Sequence, residues 1–348
     1  MGSMLEGKPH VVCLGEPKYI GADYLSAFSK THTFSILNTT SRASTIAELP
    51  AFIAAKGPID AFIICMGTPS YHPFDAELLS ALMPNCKIIV SAGAGYNAFD
   101  VSWMSEQGIV FCNSVDAVGE ATADMAIFLL LAVLRNTSNA EKSARSGTWR
   151  TGRGGALSPA KDPTGLTLGI VGMGTIGKYL AKKAAVFNLK VRYYNRNRLP
   201  AAEETKHNAT YCSSLHELLS LSDIVSLNCP LNKETANLIS TNEFAAMKDG
   251  AFLINTARGA VIDESALKEA LTSQKIARAG LDVLCNEPDV DPWFFEQDNV
   301  VLQPHLGGLT DVAFRKAERE CFENIKAYFA TGKANSPVNQ SFQHKGVK

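Results

Sequence analysis

Arg258, Glu287 and His305 lie 29 and 18 positions apart, and their side chains suit one reaction. A 2-keto acid carries a carboxylate beside a ketone; reducing it places hydride on the carbonyl carbon and a proton on the oxygen. An arginine, always charged and forked, can hold the carboxylate and polarise the ketone together. A histidine can release a proton near neutral pH, as general acid in reduction and general base in oxidation. A glutamate bonded to the other ring nitrogen fixes the tautomer and favours the imidazolium, the orienting logic of a catalytic triad. Taken singly, these residues read as a surface cation, a turn residue before Pro288 and a structural histidine. Their joint pattern carries the chemistry: the other histidines, His10, His32, His72, His207, His216 and His344, stand in no comparable constellation.

Hydride needs a donor, and the sequence contains a place to bind one. Gly172-Met173-Gly174-Thr175-Ile176-Gly177 follows a short, mostly apolar run over residues 166–171. Residues 178–187 after it keep apolar positions consistent with a helix. In this strand, turn and helix order, the first glycine permits the tight turn and the second lets the backbone approach a pyrophosphate. The third lets helix and strand pack closely, and the free amides near Thr175 and Ile176 meet the phosphates. The next strand, 190–194, ends where a carboxylate usually accepts hydrogen bonds from the ribose hydroxyls. This chain instead has Asn195, with Arg196 and Arg198 just beyond. A carboxylate repels a 2′-phosphate, whereas an amide with guanidinium groups can bind it, so NADPH is expected in preference to NADH.

With these residues in place the sequence resembles the D-2-hydroxyacid dehydrogenase family, and within it the glyoxylate and hydroxypyruvate reductase branch. The resemblance runs from about residue 11 to residue 337. It rests on Ala92-Gly93-Ala94-Gly95-Tyr96, the glycine turn, Pro230-Leu231-Asn232-Lys233-Glu234-Thr235 and Asn255-Thr256-Ala257-Arg258-Gly259. Ala279-Gly280-Leu281-Asp282-Val283, Glu287-Pro288 and Pro304-His305-Leu306-Gly307-Gly308 complete it. The family's catalytic Arg, Glu and His match Arg258, Glu287 and His305 in order and spacing. The resemblance implies that backbone amides at Ala94 and Gly95 bind the substrate carboxylate, with Met66 and Gly67 on the pocket wall. It also implies that Asp282 meets the nicotinamide carboxamide, that Thr122, Thr256 and Gly307 lie near the nicotinamide end, and that Cys229, Pro230 and Thr235 flank the nucleotide. Cys229 reads equally well as core packing. The chain departs from the commonest family pattern at Asn97, where Asp is frequent, and at Gly308-Leu309, where Ser-Ala is frequent. Formate dehydrogenases carry Gln where this chain keeps Glu287.

Composition agrees with a globular enzyme. The chain has 348 residues, 46% hydrophobic and 19% charged, a length for two domains. A net charge of −1 offers no basic footprint for nucleic acid. Eight scattered cysteines without a CxxC indicate neither a metal site nor a disulfide framework, and a reducing, cytoplasmic setting is expected. The longest uninterrupted apolar run, 125–134, is too short to span a bilayer, so no membrane partner is expected.

Alternating strands and helices imply an α/β protein with two doubly wound parallel sheets. Strands are expected at 11–15, 33–36, 61–66, 87–91 and 109–112, then at 166–171, 190–194, 223–227, 251–255, 279–283 and 300–302. The resemblance makes these a flavodoxin-like substrate domain, residues 1–117 completed by 308–348, and an inserted Rossmann dinucleotide domain, residues 118–307, with the active site in the cleft. A helix over 121–134 is apolar nearly all round, as a helix buried in a core or in an interface would be, and the resemblance makes it the homodimer interface. Residues 146–163, containing Trp149, form a long Gly-rich loop that either crosses to a partner or is a plain surface loop. The function expected is NADPH-dependent reduction of a small 2-keto acid to the D-2-hydroxy acid. The alternatives are the same chemistry on aromatic or branched keto acids, and a corepressor-like scaffold that senses dinucleotide without turnover.

Overall fold

The computed structural model describes residues 7–65, 69–149 and 159–339. Met66 and Gly67, and residues 150–158 of the loop expected over 146–163, therefore lie outside the described residues. Contacts divide the chain into two units: one up to Val118 and again from Thr310, the other from Gly119 to Leu309.

The first unit holds five parallel strands, β1 (His10–Leu14), β2 (Thr33–Leu37), β3 (Ala61–Ile64), β4 (Ile88–Ser91) and β5 (Val110–Cys112), in the order β2-β1-β3-β4-β5. β1, β3, β4 and β5 are buried throughout, as expected when helices cover both faces of a parallel sheet. On one face Val12, Leu14, Phe62, Ile64 and Ile89 join Leu49, Leu78, Leu79 and Met104 from the covering helices in one core. The helix Asp311–Thr331 packs on β4, and its Phe322 meets Phe28 edge to face.

The second unit holds seven parallel strands, β6 (Thr167–Val171), β7 (Lys190–Tyr194), β8 (Ala209–Tyr211), β9 (Ile224–Leu227), β10 (Ala251–Asn255), β11 (Ile276–Leu281) and β12 (Val300–Leu302). Their order is β12-β11-β10-β9-β6-β7-β8, reversing direction between β6 and β9. In such sheets ligands bind beyond the carboxyl ends of the strands at that switch. Register makes those ends coincide. Val171 pairs with Tyr194 and Leu227, Leu227 with Asn255, Asn255 with Leu281, and Leu281 with Leu302. The residues that follow, Gly172, Asn195, Asn228, Thr256 and Asp282, therefore emerge along a single row.

The long helix Val115–Arg135 begins six residues before the expected 121 and runs across the boundary between the units. At 21 residues it has the length and composition to cross a membrane, unlike the shorter run read from the sequence. Most of it is nevertheless buried in the protein: Ala123, Ala126, Leu129, Leu130 and Val133 join Leu168, Ile170 and Ile254 in the core on one face of the second sheet. The helix's exposed positions include the charged Asp116, Glu120, Asp124 and Arg135, and among them Phe128 is a large apolar side chain left half exposed.

Candidate active site

The glycine turn shows why each glycine is there. Gly172 adopts φ 96°, and a Cβ on it would lie 2.8 Å from the Cys229 backbone nitrogen. A Cβ on Gly177 would lie 2.5 Å from the Gly172 carbonyl oxygen, because the helix Thr175–Val186 starts directly against the turn. Around Gly174, by contrast, there is nothing within 4 Å of where a Cβ would stand. That helix has no side-chain cap, so its first amides are left for a ligand. Tight packing on two sides and open space between them, ahead of uncapped amides, fits a pyrophosphate.

The edge of this site is built by Asn195, whose Oδ1 accepts a 2.6 Å hydrogen bond from the Met173 amide. The residue that replaces the usual carboxylate thus also ties β7 to the glycine turn. The two arginines diverge. Arg198 makes a bidentate pair with Glu204, 2.9 Å for each bond, and Glu204 also accepts from the Tyr193 hydroxyl at 2.7 Å. These bonds hold Glu204 down at about 2. Arg198 is thereby committed to a structural cluster, whereas Arg196 stays at the surface, paired with Glu234.

Beyond β9, Thr235 donates to the Pro230 carbonyl at 2.6 Å and accepts from the Asn232 amide at 2.8 Å, closing that loop on itself. Cys229 packs at the edge of the core, and burial pushes its thiol up to about 11. Two buried polar atoms at the carboxyl ends of neighbouring strands, Asn228 Oδ1 and Thr256 Oγ1, have no hydrogen-bond partner among the described residues. Buried polar atoms are seldom left so, and a ligand at this end of the sheet would satisfy them.

The three reacting groups come from three successive loops. After β10, buried Asn255 accepts from the Ala257 amide and donates to the Arg258 carbonyl, both at 3.0 Å, which fixes the turn that presents Arg258. The next residue, Gly259, lies so close to Leu284 and Cys285 that a Cβ would fall 2.0 Å from the Leu284 carbonyl carbon. This contact brings the Arg258 loop against the loop that carries Glu287. Burial pulls the Arg258 guanidinium below its ordinary value, and the charge of Glu287 opposes the change.

Glu287 accepts from the Leu284 amide at 2.8 Å through one oxygen and meets His305 Nδ1 at 2.7 Å through the other. Burial raises its carboxyl, but the bonds from His305 and Leu284 and the charges of His305 and Arg258 outweigh that and keep it below the usual carboxylate range. An ionised carboxylate here requires the proton on Nδ1 and directs Nε2 to the reaction.

His305 itself sits at φ 58°, a left-handed conformation that costs about 1–2 kcal/mol for an L-residue. Asp282 holds it there. Its carbonyl accepts from the His305 amide at 2.8 Å, and its carboxylate accepts from the Leu306 amide at 2.7 Å and the Gly307 amide at 2.8 Å. Asp282 is 1% exposed; burial raises its carboxyl and the two amides counter the rise. The residue expected to touch the nicotinamide carboxamide is thus, in this structure, the one that shapes the histidine turn. Thr122 lies beside the same turn: a Cβ on Gly307 would lie 3.3 Å from its methyl group.

In the first unit, Ala94 and Gly95 lie three and four residues beyond the end of β4, with the Ala94 carbonyl held by Asn113 Nδ2 at 2.6 Å. Among the described residues no group of three His, Cys, Asp or Glu could hold a metal, and all eight cysteines are free thiols.

A doubly wound sheet with a phosphate turn and an oriented acid–base pair at its carboxyl ends defines a dinucleotide-dependent dehydrogenase. The NAD binding domain of the D-isomer specific 2-hydroxyacid dehydrogenases matches residues 127–307. Dehydrogenase efuE of Hormonema carpetanum is 57% identical over 345 residues, 99% of this chain and 85% of that protein. A glyoxylate reductase structure from Paecilomyes thermophila aligns with a TM-score of 0.87 at 35% identity, covering 96% of this chain and 99% of that one. The holo D-mandelate dehydrogenase of Rhodotorula graminis aligns with a TM-score of 0.86 at 33% identity, covering 96% and 98%. The chain belongs to the D-isomer specific 2-hydroxyacid dehydrogenase family and is an oxidoreductase that uses a nicotinamide dinucleotide.

Proposed function

We propose that the protein reduces a small 2-keto acid, of the glyoxylate or hydroxypyruvate type, to the D-2-hydroxy acid with NADPH. The observation that carries this reading is the His305–Glu287 bond of 2.7 Å formed beside Arg258. Arg258 binds the substrate carboxylate and polarises the ketone, and His305 delivers the proton to the carbonyl oxygen from Nε2. Glu287 holds the imidazole in the required tautomer and stabilises its charged form. The dinucleotide, when bound, supplies hydride to the carbonyl carbon. Ala94 and Gly95 remain the proposed amide donors to the carboxylate, and a homodimer in the cytoplasm is part of the same proposal.

Preference for NADPH is supported by Asn195 and Arg196; Arg198, occupied by Glu204, is withdrawn from that role. A second reading keeps the chemistry but takes aromatic or branched keto acids, and the likeness to a D-mandelate dehydrogenase favours it. Against the scaffold alternative stand Asn195 and Arg196, where such relatives generally keep an acid, and dinucleotide binding without turnover on any keto acid would restore it.

The deciding experiment follows loss of nicotinamide absorbance with NADPH or NADH and a panel from glyoxylate and hydroxypyruvate to phenylglyoxylate and branched keto acids. Fast NADPH oxidation with the smallest acids supports the proposal, and preference for the larger ones moves the protein to the second reading. Arg196→Ala should weaken NADPH selectively; equal losses with both cofactors would remove Arg196 as a reader of the 2′-phosphate.

A further inference from the structure

We infer that Glu234 is a cofactor-specificity residue, the resident anion that a 2′-phosphate must displace from Arg196; the inference rests on the NADPH reading above. Arg196 lies two residues beyond β7 and Glu234 seven beyond β9. These strands flank β6 on opposite sides, so an ion pair between the two loops spans the carboxyl end of β6, where the glycine turn begins. That is the end of the sheet at which the adenosine ribose of a bound dinucleotide is read.

The Glu234 carboxylate is kept within reach by its loop. Its amide and that of Thr235 donate to Asn232 Oδ1 at 2.9 and 3.1 Å, and Thr235 Oγ1 ties the loop back to Pro230. The backbone is thus fixed while the side chain remains at the surface, 66% exposed against 74% for Arg196.

A guanidinium fork serves a carboxylate or a phosphate with the same donors. With NADH the ribose brings no competing anion and the Arg196–Glu234 pair can persist. With NADPH the phosphate must take the fork from Glu234 or share it beside a like charge. Glu234 therefore opposes NADPH selectively. Because both partners are exposed, the opposition is modest and is screened by salt.

The test is Glu234→Gln in the full chain, with NADPH and NADH dissociation constants measured by isothermal titration calorimetry. NADPH should tighten about three- to tenfold while NADH stays within about twofold, with the gain shrinking in 0.5 M salt. NADPH binding that is unchanged or weaker, or NADH tightening equally, overturns the inference. An unchanged melting temperature confirms that the substitution leaves the fold intact. Arg196→Ala measured alongside separates the two levels: equal loss of both cofactors defeats the NADPH reading itself. A selective NADPH loss there, with no gain in Glu234→Gln, defeats the role of Glu234 alone.

Discussion

Replacing the turn's glycines one at a time with alanine should separate folding from binding, because the three positions differ sharply in what a methyl group would meet. At Gly172 the new Cβ would stand 2.8 Å from one backbone nitrogen and 2.9 Å from a backbone carbon, at φ 96°. Neither neighbour is a flexible side chain, so overpacking and the left-handed backbone together should cost about 2–5 kcal/mol. For a unit of this size each kcal/mol lowers the melting temperature by about 2–4 °C, which places the loss at about 4–20 °C. Gly177→Ala meets a carbonyl oxygen at 2.5 Å but gains about 1 kcal/mol of helix propensity, so its loss should be smaller. Gly174→Ala meets nothing and keeps an ordinary φ of −83°, but alanine is a poorer N-cap than glycine by about 1 kcal/mol, so it should melt only about 2–4 °C below the parent. The same methyl stands in the space a pyrophosphate needs, and an overlap of about 1–3 kcal/mol weakens dinucleotide binding about 5- to 150-fold. Differential scanning calorimetry and a dinucleotide titration on the three variants decide the matter. A Gly174→Ala protein that binds dinucleotide normally, or that melts as early as Gly172→Ala, would refute the assignment of the turn.

His305→Ala should retain dinucleotide binding and lose about two to four orders of magnitude in turnover; near-normal turnover would remove it as the proton donor. Glu320 has its carboxyl raised to about 7 by burial and by Asp116, against hydrogen bonds from Ser114 and the Ala117 amide. Between the ordinary glutamate range and pH 7 the folded state holds a proton that the unfolded chain has lost, so stability should fall as pH rises through that window. Glu320→Gln should flatten the decline, and denaturant titrations at pH 5 and 7.5 giving the same slope in parent and variant would sink the claim. Phe128→Glu places a charge on the exposed apolar centre of the long helix and should convert the proposed homodimer to monomer in light scattering, with turnover measured in parallel; an unchanged mass would move the interface elsewhere.

Strands of four or more residues were legible from the sequence, the partly buried β2 and β7 included, whereas β8 was not. β8, only Ala209–Tyr211 and at the edge of its sheet, offers three residues with no period to detect, and its place is set by pairing with β7. The long helix was read six residues short because Gly119 argues against a helix interior. The structure gives the reason for that glycine, since a Cβ there would lie 2.9 Å from the Thr175 methyl. Arg198 shows the opposite failure. Its type and position beside Asn195 suited a phosphate, but the sequence does not reveal that the helix Ala201–Lys206 turns Glu204 back onto it.

The site was legible as a set of residues and illegible as a set of supports. Types and order single out Arg258, Glu287 and His305, because few side chains can perform those steps. What holds them depends on contacts to the backbone that no residue type announces: the Asn255 side-chain amide closing the Arg258 turn, the Gly259 approach to Leu284, and the amides gathered by Asp282. Asp282 is the instructive case, since a buried acid in an enzyme invites a role in contact with cofactor. Here its three acceptor bonds to consecutive amides offset the strain of His305 at φ 58°, and that strain places the imidazole against Glu287. The orientation of the proton donor is therefore decided 23 residues upstream, at the end of β11, by a side chain that can do its work without meeting the substrate.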